Sequence, residues 1–308
     1  MKYSGIGGQA VIEGIMMMKG EDYAVAVRRP DKEIEVKKDT YQSITKKAKI
    51  LQLPFVRGVF RFADSMIIGM RSLTYSASFF EDDEDAEPGK FEQFLDRVFG
   101  EKLESAIMAA VLVISFILAI GIFMLLPLGI ANLFKGVITS DHLMAVLEGV
   151  IRIAIFIIYI KLVSRMEDIR RTFMYHGAEH KCINCVEHGH PLTVKYVRES
   201  SKEHKRCGTS FILIVMVISI LMFMVIRVDT IWMRILSRII LVPVIAGISY
   251  EVLQCAGRSN SKFMDLVSRP GMWMQGLTTK EPDDSMIEVA IAATEAVFDW
   301  REYLTENF

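Results

Sequence analysis

The spacing of apolar positions changes several times along the chain. Up to about residue 45 it is strand-like: Gln9 to Met18, Tyr23 to Arg29 and Glu33 to Lys38 are rich in Val, Ile and Met, with Lys19-Gly-Glu-Asp22 and Arg29-Pro-Asp-Lys32 between them as turns. A small antiparallel sheet is expected there. The run Gly5-Ile-Gly-Gly8 reads as a glycine-rich turn ahead of the first strand, of a kind that also lets backbone approach a ligand closely. No helical pattern follows it, so it is not a dinucleotide-binding fingerprint.

From Ile50 to Phe80 the period becomes helical. Val59, Phe62, Met66, Met70 and Leu73 share one side, with Arg57, Arg61 and Arg71 elsewhere on the surface. Such a helix suits either the headgroup layer of a bilayer or packing on the protein's own spans. Glu81-Asp-Asp-Glu-Asp-Ala-Glu-Pro-Gly89 then reads as a solvated acidic linker.

Four apolar stretches follow. Ser105 to Phe134 holds thirty residues without a charge, more than the ~20 that cross hydrocarbon, with Pro127 and Gly129 expected to end or kink it. Leu143 to Val163 contains Glu148 and Arg152, spaced to pair across one helical turn. Thr209 to Ile226 and Ile235 to Cys255 complete the set, the last carrying Arg238 and Glu251. Beyond them, Pro282 and the acids of Asp283-Asp284 open an amphipathic helix that runs to Phe298. The expected fold is therefore membrane α-helical with about four transmembrane helices, a small N-terminal β-rich cytoplasmic segment and a C-terminal amphipathic helix. Its divisions fall at 1–45 (β-rich segment), 46–104 (amphipathic helix and acidic linker), 105–163 (spans 1 and 2), 164–208 (a His/Cys-rich loop), 209–256 (spans 3 and 4) and 257–308 (tail).

Charge placement orients these spans. Lysines and arginines number sixteen before the first span, nine in 164–208 and five from Arg258 onward, against one in 135–142 and two in 227–234. By the positive-inside rule both termini and the His/Cys connection are expected in the cytoplasm. The start of the chain lacks the apolar run of a signal peptide, so translocation is expected to begin at an internal span. A hydrophobic content of 52% beside 24% charged residues fits a multi-pass protein with sizeable water-facing parts, and a net charge of −1 gives no electrostatic basis for nucleic-acid binding.

The candidate chemistry is concentrated in Tyr175-His-Gly-Ala-Glu-His-Lys-Cys-Ile-Asn-Cys185. Histidines 176 and 180 are four apart, so on a helix their imidazoles share a face, with Glu179 beside them. H-x-x-E-H is the pattern in which a carboxylate acts as general base beside a metal. Gly177 within it costs a helix ~1 kcal/mol relative to alanine. Four cysteines, three of them in this connection, favour a divalent metal, zinc by ligand type, over a disulfide framework. Two arrangements compete. A closed structural site would use Cys182, Cys185, His204 and Cys207, whereas an open catalytic site would use His176 and His180 with a further ligand from Glu251, Cys185 or Cys207 and Glu179 as base. A straight continuation of the second span would carry His176 roughly 20 Å past Val163, so a chain break near Arg165 to Thr172 is required. The alternative role of Glu251 is a buried carboxylate bonded to Thr209, Ser210 or an arginine.

Gly7-Gly-Gln-Ala-Val-Ile-Glu-Gly14, His176-Gly-Ala-Glu-His-Lys181, Arg206-Cys-Gly-Thr-Ser-Phe211, Ala246-Gly-Ile-Ser-Tyr-Glu251 and Glu281-Pro-Asp-Asp284 together resemble the YqhQ-like family of bacterial membrane proteins. The resemblance covers nearly the whole chain. It implies a domain of unknown function described as a predicted metal-dependent enzyme, with His176, Glu179, His180, Cys207 and Glu251 in the family pattern and Cys182 less typical of it. Three readings follow: a metal-dependent hydrolase acting on a peptide or lipid, a membrane scaffold or assembly factor with a structural metal loop, or a transporter subunit, which with four spans would require a homo-oligomer.

Overall fold

The computed structural model describes residues 2–80, 103–226, 230–258 and 261–308. It forms two compact units, residues 81–159 and the remainder of the chain. The acidic run Glu81 to Gly89 lies outside the described residues.

Among the described residues, four helical segments are long and apolar enough to cross a membrane: Ala110–Asn132, Asp141–Val163, Gly208–Val225 and Ile235–Ala256. These coincide with the four apolar runs of the sequence. In the unit of residues 81–159, the helix Leu103–Ile120 passes through a π-helical turn at Gly121–Leu125 into a short helix, Leu126–Asn132. The wide turn precedes Pro127, whose ring lacks the N–H that an interior position would use, so the proline starts a helix instead of breaking one. Arg152 donates to Glu148 at 2.7 Å and to the Phe123 carbonyl at 2.9 Å. Two charges in an apolar span thus neutralise each other.

The larger unit begins with a four-stranded antiparallel meander, β1 (Ile6–Val11), β2 (Gly14–Lys19), β3 (Asp22–Arg28) and β4 (Ile34–Thr40), in that spatial order. The expected strand Gln9 to Met18 is in fact two, because the chain reverses at Ile12 and Glu13. Glu13 adopts φ 47°, a conformation uncommon for a residue with a Cβ. Neither central position of that turn is a Gly, Pro, Asn or Asp; Gly14 closes it. The glycines Gly7 and Gly8 lie within β1, not ahead of it.

Both faces of the sheet are covered. On one, Ile15, Met17 and Ala26 pack with Tyr175, Ile183, Met286, Ile287 and Ala290 from two helices, Glu167–Glu187 and Asp284–Val297. On the other, Val11, Met16, Val25 and Val27 pack with Ile68 and Tyr75 of α1 (Val56–Ala77). The alternation along β2, Ile15 and Met17 one way and Met16 the other, is the two-residue period of a strand buried on both sides. Helix Asp284–Val297 starts where Pro282 predicts, with the Asp283 carboxylate accepting the Met286 N–H at 3.0 Å.

Numbering the helices of this unit onward, α2 is Glu167–Glu187, α3 Val194–Glu199, α4 Gly208–Val225, α5 Ile231–Arg258, α6 Lys262–Thr278, α7 Asp284–Val297 and α8 Trp300–Asn307. The stretch 164–208, read as a loop, therefore contains a 21-residue helix that is buried at Tyr175 and from Gly177 to Glu187. It is a core element that packs beside α7 on the same face of the N-terminal sheet. The required chain break falls at Ser164–Met166, immediately after the second span. Helix α1 packs on α5, where Gly58 and Gly247 let the two backbones approach: a Cβ at Gly58 would stand 2.7 Å from Tyr250 Cβ. The packing of α1 is thus on the protein's own span.

Candidate metal site

Helix α2 delivers His176, Glu179 and His180 toward one small cavity, and the start of α4 delivers Cys207. His176, His180 and Cys207 offer ligand atoms that all lie within 4.8 Å of one another. The two imidazole centroids are 4.4 Å apart, and His176 Nε2 is 3.2 Å from Cys207 Sγ. The cavity, of about 110 Å³, is also lined by Ile6, Gly7, Gly8, His204 and Arg206.

What tunes this cluster is the set of groups behind it. His176 Nδ1 is 3.0 Å from the Thr278 carbonyl and His180 Nδ1 is 2.7 Å from the Lys202 carbonyl. A carbonyl can only accept, so both Nδ1 atoms carry the proton and both Nε2 atoms present lone pairs. That is the arrangement of metal-ligating histidines, whose second nitrogen donates to a carbonyl or carboxylate. Cys207 is the N-cap of α4 and its sulfur accepts the Thr209 N–H at 3.4 Å. The positive end of the helix dipole therefore faces the sulfur, the polarity a thiolate ligand requires.

Gly177 sits in the helix between the two histidines because nothing larger fits. A Cβ there would collide with the Lys280 carbonyl, and the Lys280 N–H in turn donates to the Phe173 carbonyl at 2.9 Å. The notch draws the chain after α6 against α2, which brings Thr278 to His176. Gly8 plays the equivalent part on the sheet side: its Cβ would stand 2.8 Å from Glu179 Cγ. The Glu179 carboxylate is buried at 5% exposure and 4.0 Å from His176 Nε2. Burial raises its pKa, and His176 and the Gly8 N–H offset only part of that rise.

The remaining expected ligands are placed differently. Cys185 points into the core with its sulfur at the Pro191 carbonyl, 3.4 Å away, and burial pushes its thiol up to about 11. Cys182 is fully buried, and desolvation raises its thiol well above the ordinary range. The closed site of Cys182, Cys185, His204 and Cys207 is not assembled. Glu251 accepts from Arg57 Nε at 2.7 Å and Nη2 at 2.5 Å, away from the His–His–Cys cluster. An arginine is thus its partner, as its alternative role required. His204 lines the cavity, but its Nε2 lies 3.6 Å from Glu187 and has no hydrogen-bond partner. Desolvation lowers its pKa, and Glu187 counteracts this in part.

Several residues that hold the site were not visible as candidates. Glu187 is completely buried and accepts from the backbone and hydroxyl of Ser4 at 2.9 and 2.8 Å, and from Arg206. Burial alone would raise its pKa, but His204, Arg206 and Ser4 outweigh burial and hold it at about 2. Its position seven residues after His180 on the same helix was the available signal. Gln275 clamps the His204 backbone, donating to its carbonyl at 2.7 Å and accepting its N–H at 2.9 Å. Neither Gln275 nor the Thr278 carbonyl carries any local motif.

Residues 53–300 match a family model described as a protein of unknown function, DUF1385. The uncharacterized protein YqhQ of Bacillus subtilis (strain 168) is 34% identical over 286 residues, covering 92% of this chain and 89% of that protein. No solved structure matches.

Proposed function

Because the chain belongs to the DUF1385 family, whose description names no activity, its function has to be read from its own residues, and we propose that it is a metal-dependent hydrolase of the bacterial inner membrane. The carrying observation is the pair of backbone carbonyls, Thr278 and Lys202, that turn two imidazole lone pairs toward Cys207. His176, His180 and Cys207 would hold a divalent ion, with zinc best suited to two nitrogens and a sulfur. Three protein donors leave a position for water, the pattern of catalytic sites. A bound ion there supplies Lewis acidity and lowers the pKa of a water molecule. Glu179, buried and 4.0 Å from His176 Nε2, would be the general base and acid, able to accept a proton from water held there and pass it to a leaving group. The excess of lysine and arginine in the segments flanking the spans supports a cytoplasmic side for both termini and the site, and a peptide or lipid is the proposed substrate.

The test separates ligand from base. Elemental analysis of the purified full chain should find a bound divalent metal that is absent from His176→Ala/His180→Ala. Glu179→Gln should keep the metal and lose metal-dependent hydrolysis across a panel of peptides and phospholipids. A second reading rests on His204: it lines the same cavity, with its Nε2 3.6 Å from Glu187, and a rotation of the ring onto the ion would close the site as a structural one. That reading predicts a harmless Glu179→Gln and a destabilising His204→Ala.

A further inference from the structure

The metal cavity has a neighbour. Ile6, Gly7, Gly8 and Arg206 line both it and a second cavity of about 580 Å³, a size within the ~300–1,000 Å³ range of small-molecule sites. The charged groups of this chamber are unequally committed. Asp64 is 4% exposed and accepts from Tyr41 at 2.9 Å, Ser43 at 2.5 Å and the Ile44 N–H at 3.0 Å. Glu21 is ion-paired with Lys46 at 2.7 Å. Among the described residues Arg61 has no acidic partner, and Arg206 Nη1 is buried without a hydrogen-bond partner while its Nη2 is bound to Glu187. The acids are engaged, Arg61 keeps donors with no acidic partner among the described residues, and Arg206, its guanidinium 4.5 Å over the Tyr3 ring, adds a second cationic group to the wall. An anion with several acceptor oxygens is what would satisfy them.

A separate observation identifies what carries the anion. Tyr250 and Gln254 of the chamber wall lie in the last turns of the apolar span Ile235–Ala256. Helix α1, which contributes Arg61, Asp64, Ser65 and Ile68 to the same wall, leaves Phe62, Met66 and Met70 exposed at 46%, 54% and 51%. An apolar stripe of this kind, next to the end of a span, is what a helix facing lipid presents. The chamber therefore adjoins the level at which lipid headgroups lie.

We propose that this chamber binds the anionic phosphate headgroup of a membrane lipid through Arg61 and Arg206, with the acyl chains left beside α1 and α5. That such a lipid is the substrate rests on the hydrolase reading of the adjacent cavity; the binding itself does not require an ion. The test is saturation binding of a fluorescent short-chain phosphatidic acid to the full chain in phosphatidylcholine nanodiscs. Saturable binding is expected, displaced by unlabelled phosphatidic acid but not by equal concentrations of glycerol phosphate or an acidic peptide. Arg61→Gln should weaken it about tenfold, the loss of one charge-assisted interaction. Because Arg61 is exposed, that variant is expected to melt like the parent. Unchanged affinity in Arg61→Gln, or equal displacement by glycerol phosphate, by the peptide or by extra phosphatidylcholine, would overturn the inference. The His176→Ala/His180→Ala protein is expected to bind the lipid undiminished even where it holds no metal, so the two readings fail separately.

Discussion

His176 with His180 and Cys182 with Cys185 are two pairs of metal-ligating side chains on a single helix, within ten residues of each other, and they meet opposite environments. The histidines face a polar cavity and have their outer nitrogens fixed by carbonyls at 3.0 and 2.7 Å. The cysteines face the core formed with α7, where burial holds both thiols protonated. Ligand type alone does not make a site; the direction of a helical face and the groups behind it do. The thiol that joins the histidines comes from elsewhere, the N-terminus of α4, where its sulfur accepts the Thr209 N–H.

The sharpest way to break this contrast is to delete each pair. His176→Ala/His180→Ala should lower the metal-to-protein ratio at least about 100-fold, as expected when two ligands go, whereas Cys182→Ser/Cys185→Ser should leave the ratio unchanged. Metal lost from the cysteine variant would reverse the assignment.

Next in size is Glu187. Its removal leaves the half-buried Arg206 without its carboxylate, and Glu187→Ala should destabilise by about 3 kcal/mol in denaturant melts of the solubilised protein. The same group sets an acid limit. Its folded-state pKa of about 2 lies below the ordinary 4.5, so folding favours the ionised form. The stability it confers is complete above pH 4.5 and is lost as pH falls toward 2, a decline that Glu187→Gln should flatten.

Gly177→Ala tests the notch. In an ordinary helix the change would stabilise by ~1 kcal/mol, but here the new methyl meets the Lys280 carbonyl, and a net loss of about 1–3 kcal/mol is expected. A raised melting temperature would show that α6 does not dock there. The smallest effect concerns labelling: exposed Cys255 should react with maleimide first, and Cys182 and Cys185 only on unfolding.

Much of the architecture was legible because its signals are long. Stretches of eighteen or more residues with few or no charges, or Pro282 followed by acids, announce spans and a helix start without help from the fold. The turn at Ile12–Glu13 was not, since Glu13 adopts its left-handed conformation with no turn residue at either central position. The site divided along the same line. His176, Glu179, His180 and Cys207 sit in short motifs, whereas the carbonyls of Thr278 and Lys202 have no side-chain identity to read. Gln275 and Glu187 acquire meaning only once α6 and the N-terminal Ser4 reach α2. Glu251 matched the family pattern for a different physical reason, its ion pair with Arg57 across α1 and α5.

X-ray absorption on the full chain loaded with zinc tests the central claim most directly. The account predicts a shell of two imidazole nitrogens at ~2.0–2.1 Å, one sulfur at ~2.3 Å and a light-atom ligand in the remaining position. A shell with two or more sulfurs, or a protein that retains no metal after loading, would contradict it.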